Sequence, residues 1–175
     1  MWVKLFLLWL LFAVSKVSCM FEFTNVKCSS LDEKFSGFEY CYLKSVNRSY
    51  KYLSLKVNLF KTPITKIKVN FAIYKRYNGY RPFMYNITLD ACNFLKNPSS
   101  NAVMNYFYGF FQNFSNMNHT CPYDHDIIID KLNTKAANFQ VTKVLPVPEG
   151  DYLLETRWIA YDINRAIVKV YCSVS

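Results

Sequence analysis

Glycine is scarce in this 175-residue chain: Gly37, Gly79, Gly109 and Gly150 are the whole supply, and no two are close together. A loop that cradles phosphate with successive backbone amides needs its glycines clustered, so a nucleotide-binding loop is excluded. Histidine is scarcer still, with His119 and His125 alone. Neither G-x-S-x-G nor H-E-x-x-H occurs, which removes the commonest hydrolase and zinc-protease signatures. Acids are outnumbered, 12 against 21 Lys and Arg, leaving a formal net charge of +9. Internal repeats, low-complexity tracts and linkers are missing too, so a single domain is expected.

The one long apolar run lies at the start. Residues 1–19, MWVKLFLLWLLFAVSKVSC, place Lys4 before an apolar stretch from Leu5 to Val14 and end on Ser18 and Cys19. This is the pattern of a secretory signal peptide cut after Cys19, with residues 20–175 as the mature domain. The run falls short of the roughly 20 residues a membrane span needs, and no second one follows. The mature chain is therefore expected to be soluble, secreted and extracellular. Its basic surface suits a receptor or anionic membrane headgroups, and secretion argues against nucleic acid as a partner.

Cys28, Cys41, Cys92, Cys121 and Cys172 follow the signal. An odd number leaves one over. In an oxidising compartment the others are expected in disulfides, whose connectivity spacing alone leaves open. Asn47-Arg-Ser, Asn86-Ile-Thr, Asn113-Phe-Ser and Asn118-His-Thr have the form of N-glycosylation acceptors, and Asn97-Pro-Ser is excluded by its proline.

Period-two alternation dominates the middle and the end of the chain. Leu53, Leu55, Val57 and Leu59 share one side of a strand; past Thr62-Pro63, Ile67, Val69, Phe71 and Ile73 share one side of the next. Asn78-Gly79 marks a tight hairpin, because such turns favour residues that tolerate positive φ. Phe83, Tyr85, Ile87 and Leu89 then alternate with Met84, Asn86, Thr88 and Asp90, which puts the Asn86 sequon on the polar face. Near the end, Tyr152, Leu154, Thr156, Trp158 and Ala160 form one inward row and Val168, Val170, Cys172 and Val174 another. Ile127-Ile128-Ile129 is too short to assign. One segment is helical in spacing: after the capping residues of Asn97-Pro-Ser-Ser, the residues Val103, Phe107, Phe110, Phe111 and Phe114 predict an amphipathic helix from Ser99 to about Phe114. Strands joined by turns around one inserted helix predict a mainly β, two-sheet sandwich.

The segments FTNVKC (23–28), YCYLK (40–44), YKRYNGYRPFMYNITLDAC (74–92), HTCPYDHDIIIDKL (119–132) and PVPEGDYLLETRWIAYD (146–162) resemble a large insect family of secreted domains of unknown function, to which the chemosensory CheB proteins are similar. That family in turn resembles the ML lipid-recognition domains, which are immunoglobulin-like sandwiches. The second likeness rests on Cys41-Tyr-Leu-Lys, Cys121-Pro122 and the strand from Gly150 to Trp158. It implies an ML-like sandwich, disulfides Cys28–Cys41 and Cys92–Cys121, and a lipid held between the sheets. Cys172 departs from the ML pattern; its inward phase reads as a buried free thiol, with a pairing to Cys28 or Cys41 as the alternative.

The densest polar cluster, His119 to Asp126, invites a metal or Cys-His reading. A thiolate must stay reduced for either, so a disulfide-pinned loop is the expectation, with no metal, no cofactor and no enzymatic activity. Glu149 and Asp151 flank a glycine turn and read as solvated acids. The expected function is binding of a lipid or other hydrophobic small molecule, with Leu55, Val57, Val69, Phe71, Tyr85, Ile87, Phe107, Phe111, Leu154 and Trp158 lining a cavity. The alternative is an extracellular interaction or co-receptor module with a filled core, acting through Lys66, Lys68, Lys75, Arg76 and Arg81. The helix, lying between Cys92 and Cys121 and weakened by Gly109, reads as a lid over the cavity.

Overall fold

The computed structural model describes residues 20–47, 50–141 and 147–175. The expected signal peptide, the Arg48-Ser49 part of the first sequon and Pro146 lie outside the described residues. Within them run eight strands: β1 (Phe21–Ser30), β2 (Ser36–Asn47), β3 (Tyr50–Leu59), β4 (Ile67–Tyr77), β5 (Gly79–Asp90), β6 (Ile127–Asn133), β7 (Gly150–Ala160) and β8 (Ile163–Val174). Three helices accompany them: α1 (Ala91–Lys96), α2 (Ala102–Phe111) and α3 (Thr134–Phe139).

The strands form a two-sheet sandwich, five-stranded in the order β1-β8-β7-β4-β5 and three-stranded in the order β2-β3-β6. All pairings are antiparallel. The inward rows expected for β3, β4, β5, β7 and β8 stand as read. Leu53, Leu55 and Val57 are each 1 % exposed, while Asn86 and Thr88 of β5 face out. The β4–β5 hairpin turns at Asn78-Gly79 with Tyr77 opposite Gly79, and of the two turn residues only Gly79 needs positive φ, at 101°. The β7–β8 turn uses Tyr161 and Asp162, at φ of 53° and 62°. These are the two positive values that a tight hairpin with matching twist requires.

β1 and β5 edge the large sheet and β2 and β6 the small one, and a register slip interrupts the ladder of each. The register slips between Phe23 and Asn25 in β1 and between Phe38 and Tyr40 in β2. β6 is shielded on its open side by Asn116, whose N–H donates to Ile128 O (3.2 Å) and whose Oδ1 accepts from Ile128 N (2.9 Å); this covers an edge that would otherwise invite pairing.

The expectation of one helix is corrected to three. α1 and α3 span 6 residues each, too short to show helical periodicity, and each starts on a polar cap: Asp90 Oδ1 accepts from Asn93 N, and Asn133 Oδ1 from Ala136 N. The central helix is also shorter than the expected 99–114. Pro98–Ser100 and Gln112–Phe114 are single 3-10 turns, and the α-helical part starts at the cap Asn101, whose Oδ1 accepts from Met104 N at 3.0 Å.

Two disulfides, Cys28–Cys41 and Cys92–Cys121, join residues 13 and 29 apart in sequence, and loops of that size stabilise by about 3 kcal/mol each. The first links β1 to β2 along one edge of the sandwich. The second links α1, directly after β5, to the segment before β6 along the opposite edge. Cys172 is free and buried. Such cross-links suit an oxidising compartment outside the cytosol.

Asn101→Ala should cost about 1 kcal/mol, the usual value of a lost N-cap, and lower the melting temperature by about 2–4 °C. Ser99→Ala, whose hydroxyl only donates to Asn97 Oδ1, should leave it within error. Thermal unfolding of the two variants checks which residue caps the helix.

Candidate functional site

The inner face of the five-stranded sheet is divided along the strand direction. One half, with Val69 and Phe71 of β4, Thr156 and Trp158 of β7 and Val168 and Val170 of β8, faces Leu53, Leu55 and Val57 of β3 and Ile127, Ile129 and Leu132 of β6 across a cavity of about 230 Å³. Met104, Phe107, Tyr108 and Phe111 of α2 close one side of it. The other half carries Ile73, Phe83, Tyr85, Tyr152, Leu154, Cys172 and Val174. It faces α2 instead, across a second cavity of about 350 Å³ walled also by Phe21, Val103, Tyr106, Phe107 and Phe110.

Seven of the ten residues expected to line a cavity border the inner one: Leu55, Val57, Val69, Phe71, Phe107, Phe111 and Trp158. Tyr85 and Leu154 border the outer one, and Phe107 borders both. Ile87 is the correction. It sits opposite Phe71 in the β4–β5 ladder but touches neither cavity, because the division of the sheet falls at its level. Sequence reasoning missed Met104, Tyr108, Met117 and Tyr123. The first two follow from the helical spacing of Phe107 and Phe111; the loop residues carried no signal.

The inner cavity has polar atoms in its wall, but they are engaged with one another or with backbone. Tyr108 OH donates to Met117 O (2.9 Å) and Tyr123 OH to His119 O (2.6 Å). Burial pushes the Tyr123 phenol up to about 12, so it stays a neutral donor. Trp158 Nε1 donates to Thr156 Oγ1 (3.0 Å). Arg165 pairs with Asp32 and lies 4.2 Å over the Phe35 ring. What faces the space is hydrocarbon, and apolar contact is what it offers a guest.

The His119–Asp126 cluster lies behind that wall. Asn116 Oδ1 is fixed by Ile128 N, so its Nδ2 points at His125 Nδ1 (3.1 Å). His125 Nε2 meets His119 Nε2 at 2.8 Å, and His119 Nδ1 meets Thr120 O at 2.7 Å. His125 Nδ1 also lies 2.9 Å from Asp126 O, and Asn116 Nδ2 donates to that same carbonyl at 2.7 Å, so the two rings are held by each other, by Asn116 and by backbone carbonyls. Cys121 is bonded to Cys92. Among the described residues no three His, Cys, Asp or Glu side chains gather as metal ligands.

Much of the basic surface expected for the alternative function is paired internally. Lys66 and Lys68 both hold Asp162, at 2.5 and 2.7 Å; those hydrogen bonds keep its carboxyl at about 2. Arg76 faces Asp151 at 3.6 Å. The four sequon asparagines, Asn47, Asn86, Asn113 and Asn118, are all exposed. A Cβ at Gly109 would meet only the amide end of the Gln140 side chain, 2.6 Å from Nε2, which a flexible side chain can move aside. No helix among the described residues is long and apolar enough to cross a membrane.

A family model described as a protein of unknown function (DUF1091) matches residues 69–154. No curated protein matches the chain. Among solved structures, the crystal structure of a Niemann-Pick type C2 protein from Japanese carpenter ant aligns over 89 % of this chain and 93 % of that one, at 13 % identity and a TM-score of 0.29.

Cys172 is 4 % exposed at the wall of the outer cavity, and burial, with the Asp151 charge adding to it, pushes its thiol up to about 12. Reactivity follows the thiolate. In a protein of residues 20–175, maleimide at pH 8 should therefore leave the folded state unlabelled and add a single label once denaturant is present without reductant. Mass spectrometry reads both states.

Proposed function

We propose that this protein binds a hydrophobic small molecule in the cavity between its sheets. The observation that carries the reading is the inner cavity of about 230 Å³. Protein interiors are close-packed, so an apolar space of this size between two sheets is room for a guest. Because the wall's polar groups are engaged elsewhere, the guest is recognised by shape and apolar burial. The filled-core co-receptor reading is not favoured by this geometry, and three of the five basic side chains it would use already face acids. Resemblance to the chemosensory family extends the proposal to a secreted carrier of a hydrophobic chemical signal.

Trp158 is the one tryptophan beyond residue 19 and borders the inner cavity, so its emission should shift when a compact apolar dye such as 1-aminoanthracene binds. At a hundredfold excess over Kd, binding stabilises by about 2.7 kcal/mol, which raises the melting temperature by about 5–10 °C. Val69→Phe, which places a ring in the space, should weaken dye binding at least tenfold while the protein remains folded. A dye that neither shifts Trp158 emission nor raises the melting temperature would count against the proposal.

A further inference from the structure

The loop of residues 115–126 leads into β6 and backs the inner cavity, whose wall includes its Met117 and Tyr123. It is tied to its neighbours. Tyr123 N donates to Ile64 O (2.9 Å) and Ile64 N to Tyr123 O (2.8 Å), Thr120 Oγ1 donates to Cys92 O (2.7 Å), and Cys121 is bonded to Cys92. What closes the loop on itself is the contact between its two histidines. His119 Nε2 and His125 Nε2 are 2.8 Å apart, and the ring centroids, at 5.1 Å, are about as far from each other as that contact allows. The two nitrogens therefore point straight at each other. The Tyr123 ring stacks on that of His119 at 4.5 Å, and its hydroxyl donates to His119 O.

Charge on the rings decides whether this contact holds. His119 Nδ1, 2.7 Å from Thr120 O, carries its proton there and leaves a lone pair on Nε2. His125 Nδ1 lies between a donor, Asn116 Nδ2 at 3.1 Å, and an acceptor, Asp126 O at 2.9 Å. With both rings neutral, His125 accepts from Asn116 and donates through Nε2 to His119. With one added proton it donates at both nitrogens, to Asp126 O and to His119, and every polar atom is still matched. A second added proton sets N–H against N–H across 2.8 Å with two like charges in contact, and the rings must part. The groups around the pair do not relieve this. Asp124 and Asp126 flank His125, but the Asp126 carboxylate is engaged by Leu59 N (3.0 Å) and by Lys56 of β3 (3.7 Å), which also holds Glu39 of β2. α2 contributes Tyr108, whose hydroxyl donates to Met117 O; α1 contributes the Cys92 carbonyl and the disulfide. Among the described residues neither ring pairs with a carboxylate.

We propose that the His119–His125 contact is an acid-sensitive latch: it holds the loop shut while the pair carries at most one added proton, and acid that charges both rings opens the loop and loosens the wall of the inner cavity. Opening of the loop stands on its own; release of a guest rests on the reading that the cavity holds one. Imidazole is the side chain whose charge changes between about pH 8 and about pH 5. The open loop takes up one proton more than the closed one, so acid favours opening, by up to about tenfold per pH unit.

Hydrogen exchange of the mature chain between about pH 7.5 and about pH 5, corrected for the intrinsic chemistry of exchange, tests the latch. The amides of Ile64, Tyr123 and Ile128, which the closed loop holds, are expected to lose protection about tenfold or more on acidification, while those of β7 keep theirs. His119→Gln and His125→Gln each leave one ring and a neutral amide in the pair, so in either variant the loop amides should stay protected. A second measurement needs no variant: in nitrogen-15-labelled protein, a scalar coupling between the two Nε2 nitrogens across their hydrogen bond should be present at neutral pH and lost in acid. 1-aminoanthracene should leave the unsubstituted protein about tenfold faster at the acid end and leave the variants at an unchanged rate. Protection that is flat in pH, an equal loss of protection in both variants, or no coupling at neutral pH would overturn the latch and leave the proposed function standing. An opened loop with unchanged dye release would overturn its link to the cavity. A dye that binds at neither pH would remove the proposed function, while exchange and coupling still decide the latch.

Discussion

The large sheet outreaches the small one, and the rest of the molecule depends on that mismatch. Five strands of 10 to 12 residues face only three, and no residue of the three-stranded sheet borders the second cavity. A sheet face this apolar must be buried against something. Helix α2 supplies the cover for the overhang, and because it lies at the boundary it meets apolar surface on two sides. That explains its composition, AVMNYFYGFF: aromatics populate two stripes, with Asn105 left to solvent. It also explains why the interior is two spaces. A helix and a sheet edge meeting over a third surface do not tile without gaps.

Strands with one buried face were legible in the sequence because period two carries through β3, β4, β5, β7 and β8, even past the slips at Ala72/Tyr74 and Trp158/Ile159. β1 and β2 were not legible, because few of their residues are buried and the slips at Phe23/Asn25 and Phe38/Tyr40 break what alternation they have. α1 and α3 run for less than two turns, below what periodicity resolves, and only their Asp90 and Asn133 caps mark them. Alternation tells the face of a residue and not its position along the strand. Ile87 faces inward as expected and yet meets no cavity, while Tyr85, two residues earlier, does. The division of the interior at Phe107 and the placing of Lys75 over the Phe83 and Tyr152 rings are tertiary facts with no local signature.

The chemistry of the interior follows from how completely its polar groups are occupied. Tyr108, Tyr123, Thr156 and Trp158 all turn their polar atoms to one another or to backbone. The histidine pair is held by each ring on the other, by Asn116 and by the Thr120 and Asp126 carbonyls. Arg165, the one charged side chain at the inner wall, is neutralised by Asp32 and stacked on Phe35. Polar residues are thus present in quantity without making the space polar, which residue types alone would not reveal.

The two disulfides sit on opposite long edges of the sandwich, Cys28–Cys41 where β1 meets β2 and Cys92–Cys121 where β5 meets the approach to β6. A sandwich sewn along both sides is mechanically a sleeve. Its sheets resist being pried apart laterally, so fluctuations in internal volume are channelled along the strand axis, toward the end that α2 closes. The covalent cross-links in this way give the fold a direction of compliance that a pair of sheets held by packing alone would lack.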